Sequence, residues 1–270
     1  MEALAWGYRL AEAPCAAPDG SIYFSDALGG GVYRWSSNGG VGTVIPKRRG
    51  VGGMCLHADG GLVVSGRDVI HVRDGESRTL LAIEGVAGFN DLAAAPDGSV
   101  YVGALRFNPF QGEDPVPGEF WRIDSGGGVE EVFGDIEWPN GIGVSPDGGT
   151  IYACDYASGE VIAFEPATGE RRLFARGPSG DVDGLAVDVD GGVWVALGSG
   201  GSIGHFSPAG TLEAMIGVPA GFVTSLCFGG EDGCDAYITT ADNTEEPSRA
   251  GTLFRTRVDV QGLRLAAASV

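Results

Sequence analysis

One short pattern returns six times along the 270 residues: an apolar run, an Asp-Gly turn, and a second β-rich run. The copies are APDGSIYFSD (17–26), HADGGLVVSG (57–66), APDGSVYVGA (95–104), SPDGGTIYAC (145–154), DVDGGVWVAL (188–197) and, more loosely, GEDGCDAYIT (230–239). The turn aspartates Asp19, Asp59, Asp97, Asp147, Asp190 and Asp232 are spaced by 40, 38, 50, 43 and 42 residues. Asp-Gly between β-rich runs marks a hairpin, because Gly tolerates the positive φ of the turn. Further strand-like runs follow in each period, such as GVYRW (31–35), EFWRI (119–123) and EVIAFE (160–165). Four short strands in roughly 40 residues make a propeller blade. The 48 glycines fit many tight turns, and without a G-X-Y period they do not indicate collagen. The reading is an all-β chain, residues 1–270 forming a single six-bladed β-propeller domain. No window sustains a capped 3.6-residue period, so little helix is expected. Residues 3–10 precede the first hairpin and have no blade of their own. They are expected to close the ring as the outer strand of the last blade, which would otherwise leave an open edge.

Equal offsets from the turn aspartate should be equivalent places in successive blades. Counting back seven gives Glu12, Gly52, Asn90, Asn140, Asp183 and Ser225, at the entry to the innermost strands, where blades converge on the central channel. Carboxylates and carboxamides there match the oxygen donors that hard divalent cations such as Ca²⁺ and Mg²⁺ take. Polar residues also line any water-filled channel, and Asn140-Gly141 and Asp183-Gly184 also read as turn dipeptides. Their common register is what favours a site.

The segments Glu12-Ala13-Pro14, Phe89-Asn90-Asp91, Pro139-Asn140-Gly141, Asp183-Gly184-Leu185 and Thr224-Ser225-Leu226-Cys227-Phe228-Gly229-Gly230 resemble, in order, the family of senescence marker proteins, gluconolactonases and luciferin-regenerating enzymes. The resemblance covers nearly the whole chain. It implies a six-bladed propeller in which Glu12, Asn140 and Asp183 bind one divalent metal, with Asn90 beside it on substrate or water. Ca²⁺ is the expected ion, with Zn²⁺, Mg²⁺, Mn²⁺ and Fe²⁺ as alternatives. The family's best-known reaction opens a sugar lactone, and by resemblance Asp183 is the catalytic base. Asp91 is read as an anchor of its loop.

Two departures bear on substrate. Family members acting on sugar acids carry Arg two residues before the Asn of the N-D segment, where this chain has Gly88; Arg106 from the next loop is the candidate replacement. The third period is the longest, and its extra stretch LRFNPFQGEDPVPGEFW (105–121) reads as a binding loop or lid. Phe120 and Trp121 are assigned to the following strand, and Phe107 and Phe110, flanking Pro109, to the lid. The expected substrate is a small lactone or ester less polar than a sugar lactone. The competing readings are a phosphotriesterase-like hydrolase, a non-catalytic binding propeller, and a propeller whose metal is structural.

A net charge of −19 repels phosphate backbones and anionic membranes, which argues against nucleic-acid and membrane partners. Cys15, Cys55, Cys154, Cys227 and Cys234 lack C-x-x-C spacing, lie mostly in apolar strand-like runs, and read as buried thiols in a reducing compartment. With no signal-like start and no membrane-length apolar stretch, a cytoplasmic protein is expected. His57, His71 and His205 lie outside the axial register and no partner set recurs near any of them, so a Ser-His-Asp triad is not expected.

Overall fold

The computed structural model describes all 270 residues and consists of six four-stranded antiparallel sheets arranged as the blades of a β-propeller. Blade 1 contains Ala11–Ala16, Ile22–Asp26, Val32–Ser36 and Gly40–Ile45, from the axis outward. Blades 2 to 5 repeat this order from Met54–Leu56, Gly88–Ala94, Pro139–Val144 and Leu185–Val187. Blade 6 has Val223–Gly229, Asp235–Thr240 and Gly251–Arg257, and its outer strand is Glu2–Tyr8. The N-terminal segment therefore closes the ring. Helix is confined to two three-residue 3₁₀ turns, and none is long and apolar enough to cross a membrane.

The hairpin reading holds in geometry. Gly20, Gly60, Gly98, Gly148, Gly191 and Gly233 all have φ between 75° and 90°, the left-handed region in which a side-chain residue is strained. Burial falls from inside to outside. In blade 3 the second strand, Val100–Leu105, is buried at every position, because both faces of the sheet pack on neighbours. The outer strand of blade 1, Gly40–Ile45, is exposed at all but its last residue. Phe120 is fully buried in Gly118–Ile123 and Trp121 packs partly buried in the same strand, as their β context implied.

Three loops leading into innermost strands are pinned alike, by the carboxylate that ends or follows the second strand of the same blade. Asp26 accepts from the Arg9 and Leu10 N–H groups, Asp155 from Glu137 and Trp138, and Asp242 from Gly221 and Phe222. The opposite, turn-side face carries a feature outside the repeat. After blade 6 the chain runs across that face, from Gly262 N–H on Gly233 O and Leu263 N–H on Val187 O to Ala268 N–H on Leu56 O. This strap covers a largely apolar channel cavity of about 520 Å³, whose lining includes Cys15, Cys55, Leu226 and Cys227. All five cysteines are unpaired thiols, but only Cys55 and Cys154 are buried; Cys15, Cys227 and Cys234 are partly exposed, the first two because they face this cavity. The histidines are satisfied structural residues: His57 bonds Val270 O and Asp59 N–H, His71 bonds Gly60 O, and His205 bonds Asp188 and stacks on Trp194.

Candidate metal centre and active site

Four innermost strands carry a one-residue β-bulge near their start. It falls between Glu12 and Cys15, Phe89 and Leu92, Pro139 and Ile142, and Val223 and Ser225. A bulge re-aims the side chains around it, and at blade 1 it holds Ala13 at φ 52°. Blade 6 inserts its extra residue earlier than the others. Gly141 N–H donates to Asp183 O, and Gly184 N–H donates in the same way to Thr224 O. Thr224, not Ser225, is thus the blade-6 counterpart of Asp183. Its hydroxyl donates to Ala11 O and Thr239 Oγ1, so it fastens blade 6 to blade 1.

Glu12, Asn140 and Asp183 come together at the start of blades 1, 4 and 5. The Asn140 side chain lies beside the Asp183 carboxyl, and Asp183 is 4% exposed. Burial, then the Asp91 charge, pushes the Asp183 carboxyl well above the usual range. Burial, then Asp183 and Asp91, does the same to Glu12, although its Oε2 accepts the Ala13 N–H. Asp183 Oδ1 is buried without any hydrogen-bond partner. Such an atom costs on the order of 1–3 kcal/mol in a neutral group and more in a charged one. Two crowded carboxyls, one with an orphaned oxygen, and an amide oxygen fit a hard divalent cation, which takes roughly six to eight oxygens with water completing the set. No three His, Cys, Asp or Glu side chains are close enough to hold a metal, so a cation here would have to use the Asn140 carbonyl.

Asn90 lies across the channel entry. Its Nδ2 donates to Pro139 O at 3.0 Å, and a Cβ at residue 52 would stand 2.2 Å from its Oδ1. Gly52 therefore provides the space that the Asn90 carboxamide fills. Asp91 bridges blades 3 and 4 as an anchor, accepting from Leu92 N–H at 2.8 Å and Ile142 N–H at 3.2 Å. Burial nonetheless raises its carboxyl to about 7.

The expected substrate residues separate. Arg106 is bound through Nε and Nη2 to Glu119, and its Nη1 donates to Glu84 O. Trp121 Nε1 donates to the same Glu119 carboxylate. Arg106 is thus engaged elsewhere and does not stand in as a free clamp for the missing arginine at 88. Phe110 is 62% exposed on the loop, whereas Phe107 is 2% exposed and packs edge-on against Trp138 at 5.3 Å. Trp138 in turn packs on Tyr156 at 4.7 Å, and Tyr156 lies 6.4 Å from Phe222. Burial, then the Asp181 and Asp183 charges, pushes the Tyr156 hydroxyl up to about 12, which sets this aromatic arc beside the carboxylates. Trp138, Tyr156 and Phe222 carry no sequence signal of their own beyond falling in rim loops of different blades.

The 520 Å³ cavity under the strap is not this site. Glu12, Asn90, Asn140 and Asp183 are all absent from its lining, and only Asp91 reaches its inner end.

Residues 10–242 match the model of the SMP-30/gluconolactonase/LRE-like region. The chain is 30% identical to a pentonolactonase of Haloferax volcanii, covering 94% of this chain and 92% of that protein. It is also 30% identical to a 6-deoxy-6-sulfogluconolactonase of Pseudomonas putida, over 89% and 88% of the two. A crystal structure of regucalcin, a calcium-binding protein from Agrobacterium tumefaciens, superposes with a TM-score of 0.86 at 21% identity, covering 100% of this chain and 97% of that one. That last likeness shows the fold alone. With the family model matched along most of its length, and with relatives named as hydrolases of cyclic carboxylic esters, the chain belongs to the SMP-30/gluconolactonase/LRE-like family.

Proposed function

We propose that this protein is a divalent-metal-dependent lactonase, with Glu12, Asn140 and Asp183 as metal ligands and Asp183 also as the base. The observation that carries the reading is the buried, partnerless Asp183 Oδ1 beside a second raised carboxyl, Glu12. A fold gains nothing from that arrangement unless a cation balances it. Hard oxygen donors favour Ca²⁺, and the calcium-binding regucalcin of the same fold supports that choice. When bound, such an ion supplies Lewis acidity, polarising the ester carbonyl and acidifying a nearby water.

The chain's own groups do the remaining work. The Asp183 carboxylate takes the proton of the water that adds to the carbonyl carbon. It returns that proton to the ring oxygen as the acyl–oxygen bond breaks, leaving a hydroxy acid. Asn90, fixed by Pro139 O, offers Oδ1 as an acceptor for a substrate hydroxyl or the water. Trp138, Tyr156 and Phe222, with Phe107 packed behind Trp138, receive one face of the lactone ring. With Phe107 held in the core and Phe110 out in solvent, no two-phenylalanine lid forms, and apolar contact with the substrate is confined to the ring face on this arc.

Proton release from glucono-1,5-lactone and from alkyl-substituted lactones, measured with and without chelator, tests the reading. Chelation should abolish turnover and calcium should restore it. Full activity after exhaustive chelation, or in Asp183→Asn, would refute the assignment.

A further inference from the structure

The protein has 36 acidic and 17 basic side chains, so every cation has anions to spare. Nine arginines are in ion pairs with carboxylates: Arg34, Arg48, Arg73, Arg106 and Arg122 in blades 1 to 3, and Arg176, Arg249, Arg255 and Arg257 in blades 4 to 6. Three more donate to main-chain oxygens. The remaining five have neither kind of partner: Arg9, Lys47, Arg49, Arg67 and Arg172. Four of these five lie on loops of blades 1 and 2 at the end of the channel where the carboxylates lie.

Their loops are fastened to one another and to the site. Arg9 lies in the loop that Asp26 pins, three residues before Glu12. Lys47 to Arg49 lead into blade 2 and end three residues before Gly52, a reach of roughly 10 Å of extended chain. Arg48 O accepts from Gly31 N–H, while the Arg48 guanidinium holds Ser65 O, Asp68 O and the Asp68 carboxylate. Arg67 therefore sits on a loop locked to Lys47–Arg49. Its neighbour Gly66 exchanges two backbone hydrogen bonds, of 2.6 and 3.2 Å, with Phe89, next to Asn90. Lys47 is held at φ 63°, a backbone region that side-chain residues avoid. The nearby carboxylates are already used, Asp26 by Arg9, Leu10 and Gly29 N–H groups and Asp68 by Arg48.

We infer that Arg9, Lys47, Arg49 and Arg67 form a clamp for an anionic group on the substrate, a phosphate, sulfonate or carboxylate remote from the ester. The clamp rests on the lactonase reading for its substrate and stands across the mouth from the aromatic arc. It supplies from blades 1 and 2 the positive charge that Gly88 cannot supply from blade 3. The lactone ring lies toward Trp138 and Tyr156, and the charged tail toward Arg49 and Arg67. In a molecule of charge −19, a local positive rim also draws such a substrate to the one end where it reacts.

Calorimetric titration of the calcium-loaded protein with stable open-chain acids tests the clamp without requiring turnover. The probes are gluconate, 6-phosphogluconate, 6-deoxy-6-sulfogluconate and glucarate, which share the first carboxylate and differ at the tail. At low ionic strength an anionic tail should tighten binding at least tenfold, and added salt should shrink that advantage. The tail giving the largest gain identifies the source of the charge. Arg49→Gln and Arg67→Gln should each cut the advantage about threefold, and the combined Arg9→Gln, Lys47→Gln, Arg49→Gln, Arg67→Gln variant should erase it. Arg172→Gln, on an outer strand, should leave it intact. Equal affinities in the wild type, or a preference surviving in the combined variant, would overturn the clamp even if lactones are hydrolysed. Preference without hydrolysis of any lactone would overturn the lactonase reading and leave the clamp standing.

Discussion

Carboxylates stand at both ends of the innermost strands, seven residues apart, and their surroundings are opposite. At the turn end, Asp19 accepts from Ser21 Oγ and N–H and pairs with Arg34, and these bonds hold its carboxyl down to about 2. Hydrogen bonds from Ser145 and Gly149 lower Asp147, and Ser99 and Arg122 lower Asp97 against its partial burial. At the rim end, burial and neighbouring carboxylates raise Glu12 and Asp183, and Asp183 Oδ1 is left with no partner. The turn set is satisfied within its own blade and stabilises the fold. The rim set opposes the fold until something positive arrives, as expected where a binding site is kept at the expense of stability. One repeat thus carries two kinds of acidic residue, and hydrogen-bond satisfaction distinguishes them better than position or charge.

Asp183→Asn gives the largest effect and tests the contrast most severely. Lactonase turnover should fall about a thousandfold, the scale on which losing a base and its electrostatic role is felt. Bound metal should drop from one ion per chain to none by elemental analysis. Without metal, however, the variant should be more stable than wild type by roughly 1–2 kcal/mol, because a repelling buried charge is gone. The sign follows from the raised carboxyl: the cost is present at high pH and fades as pH falls toward the unfolded-state value. The variant's melting advantage should therefore be widest in alkaline buffer and close on acidification. A metal-free Asp183→Asn that melts below wild type would break the comparison.

Gly52→Ala comes next. The added Cβ would stand 2.2 Å from Asn90 Oδ1, so the carboxamide must turn away from Pro139 O or the strands must part. Misplacing one positioning group costs roughly tenfold to a hundredfold, and the loss should fall on kcat/KM while the metal content stays at one. Retained activity would show that Asn90 is not positioned by this contact. Calcium itself provides the third measurement. At a hundredfold excess over its dissociation constant it should stabilise the wild type by about 2.7 kcal/mol, whereas Asp183→Asn should show no shift in a calorimetric scan.

Much of this was legible in the chain because each blade repeats its turn, and a fixed offset from Asp19, Asp147 and Asp190 leads to Glu12, Asn140 and Asp183. The offset failed where geometry broke the period. The blade-6 bulge puts Thr224 in register in place of Ser225, and no composition signal marks a bulge. Arg106 does not replace the missing arginine because Glu119, 13 residues away on the neighbouring strand, holds it, a pairing that no local sequence signal marks. The strap over residues 262–268 has no repeat to reveal it, and the arc from Phe107 to Phe222 exists only once blades 3 to 6 are brought side by side.

The smallest effect is expected at the other end of the strand. Asp19→Asn removes an ion pair whose carboxylate is 59% exposed, so solvent screening keeps its contribution to roughly 0.5–1 kcal/mol. The folded-state value near 2 lies below the unfolded value of about 3.9. The stabilisation is therefore complete above pH ~4 and lost as pH falls through ~2. Wild type should melt about 1–3 °C above Asp19→Asn at pH 7, and the gap should vanish in strong acid. Calcium should stabilise Asp19→Asn as much as it does wild type. The two asparagine variants would then differ from wild type in opposite directions, and only the rim variant would lose its response to the ion. If Asp19→Asn instead blunted that response, the two ends of the strand would be coupled, and the turn aspartates could not be treated as purely structural.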